Sequence, residues 1–304
     1  MDCPHGNWWF YGWHRGYLGY FEQTIRNLSG DDTFAMPYWD WTTLPQIPDS
    51  MFADLLTPRS KSFEAYTSNF AVFTSKFKPA LREYWNNLNT DQLTQLKMRG
   101  YVSFDDLWND VTGYSNQLQE GVSGNMAYAP TCSSRYLTRD NPSLDEKTKY
   151  DVSPFVIRSG LLPKDFYNPS NRLSFTSSKT LSHNTQPSNT TEFSLLEGSP
   201  HNKVHNYIGG VGPLDPTPYG SMTNFLSPVD PIFFLHHSNI DRLWDVWTRK
   251  QKRLNLPYLP SNGDLQQLSE EPFLFYVDGR GNYVGESNAG QYLDMAKFEY
   301  RPLA

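Results

Sequence analysis

Two cysteines in 304 residues are too few for a disulfide scaffold, although a single Cys3–Cys132 bridge is allowed. No run of about 18 apolar residues occurs, so no transmembrane helix is expected. The first residues, Met1-Asp2-Cys3-Pro4-His5, lack the basic and apolar regions of a signal peptide, which favours an intracellular location. Net charge is −6 and no basic patch is present, which argues against nucleic acid as a partner. Charged residues make up 19% and hydrophobic residues 38%, a balance that disordered and membrane-spanning chains do not show.

Aromatic residues are plentiful: nine Trp, nineteen Tyr and nineteen Phe, enough to line a core and a pocket together. Histidine is scarce but clustered. Of seven, four stand in two segments, His201-Asn202-Lys203-Val204-His205 and Leu235-His236-His237-Ser238. His5 and His14 lie near the start, and His183 stands alone in a Ser/Thr/Asn-rich stretch. Ordinary core packing does not explain such clustering.

An H-x-x-x-H spacing on a helix puts two imidazoles on one face, one turn apart. Three imidazoles without thiolate or carboxylate suit copper, zinc or nickel better than a hard cation. A zinc peptidase needs Glu after the first His of H-E-x-x-H, and Asn202 stands there instead. A two-His, one-carboxylate iron site stays open through Asp241, four residues after His237.

From Trp13 the spacing of Tyr17, Leu18, Phe21 and Ile25 predicts a helix ending near Gly30. Gly6 and Gly12 are candidate breaks between His5 and His14. Asp40, between Trp39 and Trp41, is either a buried carboxylate holding an Arg or an imidazole N–H, or part of a surface turn after Pro37. Thr90 is a candidate N-cap, a helix is expected over 104–111, and 112–190 reads as mostly irregular surface. Residues 192–209 predict a helix carrying Glu197, His201 and His205, with Pro200 a candidate start inside it. Asp230 and Pro231 open a further helix running to about Arg249. His236 and His237 are about 100° apart around that helix and cannot easily share a metal. His237 is therefore the expected ligand, with Phe233 packed beside it, Asp241 as its hydrogen-bond acceptor, and His236 in a supporting place. Residues 273–284 read as a β-hairpin.

The motifs H-N-x-V-H and D-P-I-F-F-L-H-H-S-N-I-D-R-L-W, with C-P-H-G-N-W-W-F and P-Y-W-D-W, resemble the two copper-binding halves of type-3 copper proteins. These are tyrosinases, catechol oxidases and molluscan hemocyanins; the likeness is placed closest to bacterial tyrosinases. It implies a mainly α fold, a helix-bundle core of the tyrosinase type with long loops and a small hairpin region. One domain over 1–304 is expected, with the first copper half at 3–41 and the second at 192–249. It implies two copper ions with O2 as co-substrate, small phenolic substrates, and a copper-delivery partner as an open question. His201, His205 and His237 would hold one copper, and His5 and His14 the other. Cys3 would form a thioether to His5. Glu197 and Asn202 would hold the water that deprotonates a monophenol. The family's first histidine lies upstream of C-P-H, and no His precedes His5 here. A start further upstream, His183 as a substitute, or a site with fewer ligands are the open readings. The implied activity is ortho-hydroxylation of monophenols and oxidation of diphenols. A catechol oxidase, a non-catalytic relative and an O2 carrier are the alternatives, the last expected to need more covering chain than follows Arg249.

Overall fold

A computed structural model describes residues 3–57, 78–98, 101–111, 135–168, 173–177, 193–213, 220–223, 227–271, 273 and 287–294. The described part is mainly helical. Isolated bridges pair Gln46 with Ser143 and Thr138 with Asn141. Among the described residues no helix is long and apolar enough to cross a membrane. His183, Cys132 and all but the first residue of the expected 273–284 hairpin lie outside the described residues. Phe273 N–H donates to Ser287 C=O and Ala289 N–H to Glu271 C=O, bonds that join the two flanks of that segment.

Two long helices carry the centre of the molecule. Helix α1 spans Phe10–Ser29 and ends as expected, with Gly30 left-handed at φ 72° and its N–H returned to Arg26 C=O. It begins one turn before Trp13, because the Asn7 side-chain oxygen accepts Trp9 N–H at 3.0 Å and pins the entry. The turn before it uses Gly6, at φ 68°. Gly12 is not a break; it stays inside the helix, with the Phe273 ring in ordinary contact above it.

Three helices follow in the next described segments: α2 at Lys78–Asn87, α3 at Thr90–Met98 and α4 at Phe104–Val111. They share a small separate core of Leu88, Leu96, Phe104, Leu107 and Trp108. Within the stretch expected to be irregular, two short helices form, α5 at Glu146–Asp151 and α6 at Pro154–Gly160. Each starts on a capping side chain: Asp145 accepts Thr148 N–H and Ser153 accepts Val156 N–H. These caps overcome a polar composition that offers little helical periodicity.

Pro200 does not start a helix. Glu197–His201 forms a π turn that runs directly into α7, Asn202–Gly209. Proline lacks the N–H for the i−4 carbonyl and crowds it, and a wider turn relieves both effects. The second long helix, α8, spans Ile232–Arg253, and the Asp230 carboxylate accepts Ile232 N–H at 3.0 Å at its start. Arg135 holds the same carboxylate at 2.7 Å. Helix α9, Asn262–Glu270, was not anticipated; its Leu268 carbonyl accepts the Trp9 indole N–H at 3.0 Å.

Helices α1 and α8 pack on one another. Phe21 stacks on Phe234 at 3.5 Å between ring centres, and Tyr17 lies over Phe234 at 5.9 Å. Burying side chains of this size contributes roughly 1.5–3 kcal/mol each. The main core gathers around this seam, with Trp8, Trp9, Trp39, Trp41, Trp244 and Trp247 among its fully buried members.

Candidate metal centre

The packed seam places six imidazoles together. His14 projects from α1, His236 and His237 from α8, His201 and His205 from the π turn and α7, and His5 from the loop before α1. Donor atoms of His201, His205, His236 and His237 lie within 4.8 Å of one another, and so do those of Cys3, His5 and His14. The groups face each other. His14 and His237 rings stack at 4.2 Å and 2°, and His5 and His201 ring centres stand 5.5 Å apart. Phe10, one turn before His14, fills the space between them, 4.6 Å from His14 and 4.8 Å from His201.

In four of the rings the outer nitrogen has a partner that sets its tautomer. His14 Nδ1–H donates to Phe10 C=O at 2.7 Å and His205 Nδ1–H to Met222 C=O at 2.7 Å. His5 Nδ1–H donates to Cys3 C=O at 3.1 Å and His201 Nδ1–H to the Asn202 side-chain oxygen at 2.8 Å. Oxygens of this kind only accept, so these four rings carry their proton on Nδ1 and present the Nε2 lone pair. His201 Nε2 is buried without a hydrogen-bond partner, and His205 Nε2 faces His237 Nε2 at 3.0 Å. Two nitrogens each about 2 Å from one ion stand roughly 3 Å apart. Bare, buried imidazole nitrogens at this spacing fit a borderline metal such as copper.

Burial keeps the rings neutral. It lowers His14 to about 3 and His205 to about 4, and holds His201, His236 and His237 well below the usual histidine value. Neutral imidazole is the form that binds a metal.

The remaining expected site residues fall in several places. Glu197 is buried; its carboxylate accepts Gly6 N–H at 2.6 Å and the Ser177 hydroxyl at 3.0 Å. Desolvation raises it to about 8 despite those two bonds. Phe233 packs on His237 at 4.2 Å. Asp241 is not the acceptor for His237, whose Nδ1 has no hydrogen-bond partner. Its carboxylate instead takes Arg15 Nε–H at 2.8 Å, because a buried carboxylate finds more stabilisation beside a cation than beside a neutral ring. Asp40 forms a surface turn. It is partly exposed, caps Thr42 N–H at 3.3 Å and stands 3.7 Å from Arg242, with no imidazole among its bonds. Cys3 Sγ lies 3.2 Å from His14 Nε2 and within 4.8 Å of a His5 ring nitrogen. His236 joins the cluster although sequence spacing set it aside. Sequence reasoning missed Phe10, Met222 and Trp41. Phe10 was legible as the i−4 neighbour of His14, whereas Met222 and Trp41 reach the site only through tertiary folding.

Six imidazoles in two facing groups, four buried and two (His5 and His205) half-buried, held by a pair of packed helices and the π turn with α7, define a dinuclear metal protein. The family model for the common central domain of tyrosinase matches residues 1–250, and the chain belongs to that family. It is therefore a two-copper protein of the type-3 class. It is 35% identical over 276 residues to hemocyanin A-type, units Ode to Odg, of Enteroctopus dofleini, covering 90% of this chain and 16% of that protein. It is 26% identical over 261 residues to tyrosinase HcTyr1 of a Hahella strain, covering 83% of this chain and 39% of that one. The solved structure of a latent aurone synthase, a polyphenol oxidase, shares the fold at TM-score 0.50 and 17% identity, over 98% of this chain and 44% of that chain. The chain spans between 16% and 39% of the first curated relatives it matches.

Proposed function

We propose that the chain is an oxidoreductase that hydroxylates monophenols at the ortho position and oxidises the resulting diphenols to o-quinones. His201, His205 and His237 would hold one copper, and His5 and His14 would serve the other. When bound, the copper pair supplies the two-electron chemistry with O2. The observation that carries this reading is the convergence of imidazole donor atoms from two facing groups, with a buried carboxylate, Glu197, beside the loop that bears His5.

The residues themselves have separable tasks. The backbone carbonyls of Phe10, Met222 and Cys3 and the Asn202 side chain fix four rings in the ligating tautomer. Phe10 and Phe233 keep water from the cluster, which strengthens every electrostatic interaction inside it. A phenol with pKa about 10 must lose its proton before attack at neutral pH. Glu197, raised to about 8, is matched to accept that proton through a water shared with Asn202. Each of its oxygens has one hydrogen bond from the chain and a lone pair to spare.

Copper content measured with oxygen uptake on a monophenol and on the matching catechol tests this. Two copper per chain and uptake on both substrates are expected; no uptake on either would reject the reading. Glu197→Gln should lower monophenol turnover roughly 100-fold and leave catechol turnover nearly unchanged. Equal losses on both substrates would remove Glu197 from the proton-transfer role. The 35% identity to a hemocyanin favours one second reading, reversible O2 binding. A blue oxygenated form that makes no quinone from catechol would select it.

A further inference from the structure

Two separate segments tie down the Glu197 carboxylate, one at each oxygen. Oε1 accepts Gly6 N–H at 2.6 Å from the loop that bears His5, and Oε2 accepts the Ser177 hydroxyl at 3.0 Å. A serine hydroxyl has one proton and two lone pairs. One lone pair of Ser177 takes Ser194 N–H at 2.7 Å, which turns the hydroxyl so that its proton rests on Glu197. The segment that carries Ser177 is itself held. Phe175 N–H donates to Asp165 C=O at 3.0 Å and Thr176 N–H to Phe166 C=O at 2.9 Å. The Phe175 ring stacks on Trp247 of α8 at 4.2 Å and 14°, and on Tyr11 of α1 at 4.8 Å and 23°. Residues 173–177 thus form a strap keyed to both long helices, and its last residue reaches the carboxylate.

We propose that Ser177 is a positioning residue for Glu197, fixing the plane of its carboxylate so that the same lone pairs face the site in every turnover. The proposal rests on the role given to Glu197 above. The last torsion of a Glu side chain has broad wells and does not hold a carboxylate by itself. One hydrogen bond at Oε1 leaves the group free to swing about that contact, and the second at Oε2 removes the swing. The Ser177 bond also favours the ionised form, against the burial that raises Glu197 to about 8. One hydroxyl therefore sets both the direction and the basicity of the carboxylate. Two titratable groups stand near it. Burial raises the Tyr11 hydroxyl of α1 well above the ordinary tyrosine range, so it adds no charge there. His5 adjoins Gly6 in the loop. Both are the same in every variant below and drop out of the comparison.

The first readout needs no copper. In the full chain labelled with 13C at the glutamate carboxyls, the Glu197 signal is the one that Glu197→Gln removes. Ser177→Ala should raise its titration midpoint by about one pH unit, and Ser177→Thr, which keeps the hydroxyl, should restore it. Thr176→Val deletes the neighbouring hydroxyl, which bonds Phe166 C=O at 2.8 Å, and should leave the midpoint where it is. In the copper-loaded chain Ser177→Ala should lower monophenol kcat roughly tenfold, with KM and catechol turnover near wild type. Thr176→Val should turn over both substrates as the wild type does. If Ser177→Ala does not fold, Ser177→Cys fills the same space with a weak donor and takes its place in both measurements. A midpoint equal to wild type, a loss of the same size on both substrates, or the same shift in Thr176→Val would overturn the proposal. A wild-type chain that takes up no copper or oxidises neither phenol would defeat the reading of function instead, and the copper-free midpoint would then decide alone whether Ser177 holds the carboxylate.

Discussion

Glu197 shows how one side chain can serve chemistry at the expense of stability. Burial raises it to about 8, above its ordinary value of 4.5. A carboxyl raised on folding leaves stability intact below pH 4.5 and removes it progressively as pH climbs towards 8, because only the unfolded chain can ionise freely. Glu197→Gln can still accept Gly6 N–H at its carbonyl oxygen and can donate its amide N–H to the Ser177 hydroxyl oxygen, but has no charge to desolvate. In the copper-free chain the variant should match the wild type near pH 5 and exceed it by up to a few kcal/mol near pH 8. Urea denaturation at both pH values reads this; a difference that does not change with pH would mean the carboxylate is not desolvated. The sequence made the residue visible, since Glu197 precedes His201 by four positions. It could not show the Gly6 and Ser177 bonds, which join positions 191 and 20 residues apart. Asp241 was misread for a related reason: spacing on α8 placed it beside His237, but spacing along one helix says nothing of Arg15 on another.

Helices α1 and α8 hold their histidines through one clasp. Arg15 follows His14, Asp241 follows His237 by one turn, and the pair is almost fully buried at 2.8 Å. The guanidinium also lies 3.6 Å over the Trp244 ring and reaches the Tyr292 carbonyl. Asp241→Asn leaves Arg15 buried without its counter-charge and should cost about 3–5 kcal/mol, while the double change Arg15→Met with Asp241→Leu should cost much less. A double-mutant cycle in urea measures the difference, and additive losses would show that the two side chains do not act as a pair. A second contact supports His205. A Cβ on Gly209 would stand 2.3 Å from Thr223 Cγ2 and 2.9 Å from Thr223 N, so the backbone itself blocks it. Gly209→Ala should destabilise by about 1–3 kcal/mol and displace Met222, whose carbonyl fixes His205. Copper affinity should fall in that variant, and affinity equal to wild type would separate the turn from the site. Apolar spacing was enough to find α1, because a long amphipathic helix carries a strong period, and α8 was found from its opening residues, Asp230 and Pro231. The π turn at Pro200 and the capped helices α5 and α6 were missed. Their signals are single residues, Pro200, Asp145 and Ser153, not a period.

Summed over the chain, the ionisable groups of the site oppose one another in pH. Glu197 removes stability as pH rises from 4.5 to about 8. His14, His201, His205, His236 and His237 act in the other direction. Their folded values are lowered, so stability is fully present above the unfolded value of 6.5 and is lost as pH falls below it, when only the unfolded chain takes up protons. Each ring contributes up to about 1.4 kcal/mol per pH unit in that window, which runs down to about 4 for His205 and about 3 for His14. Five rings outweigh one carboxyl, so the copper-free chain should be most stable near neutral pH and lose stability steeply between about pH 6.5 and 5. Copper binds the neutral rings of the folded chain, so at 100 times its dissociation constant it should add about 2.7 kcal/mol per site. Chelation should therefore move the acid-unfolding midpoint towards neutral pH, which tryptophan fluorescence can follow with nine Trp in the chain. A midpoint identical with and without chelator would show that the imidazoles fold around no metal, whatever their arrangement.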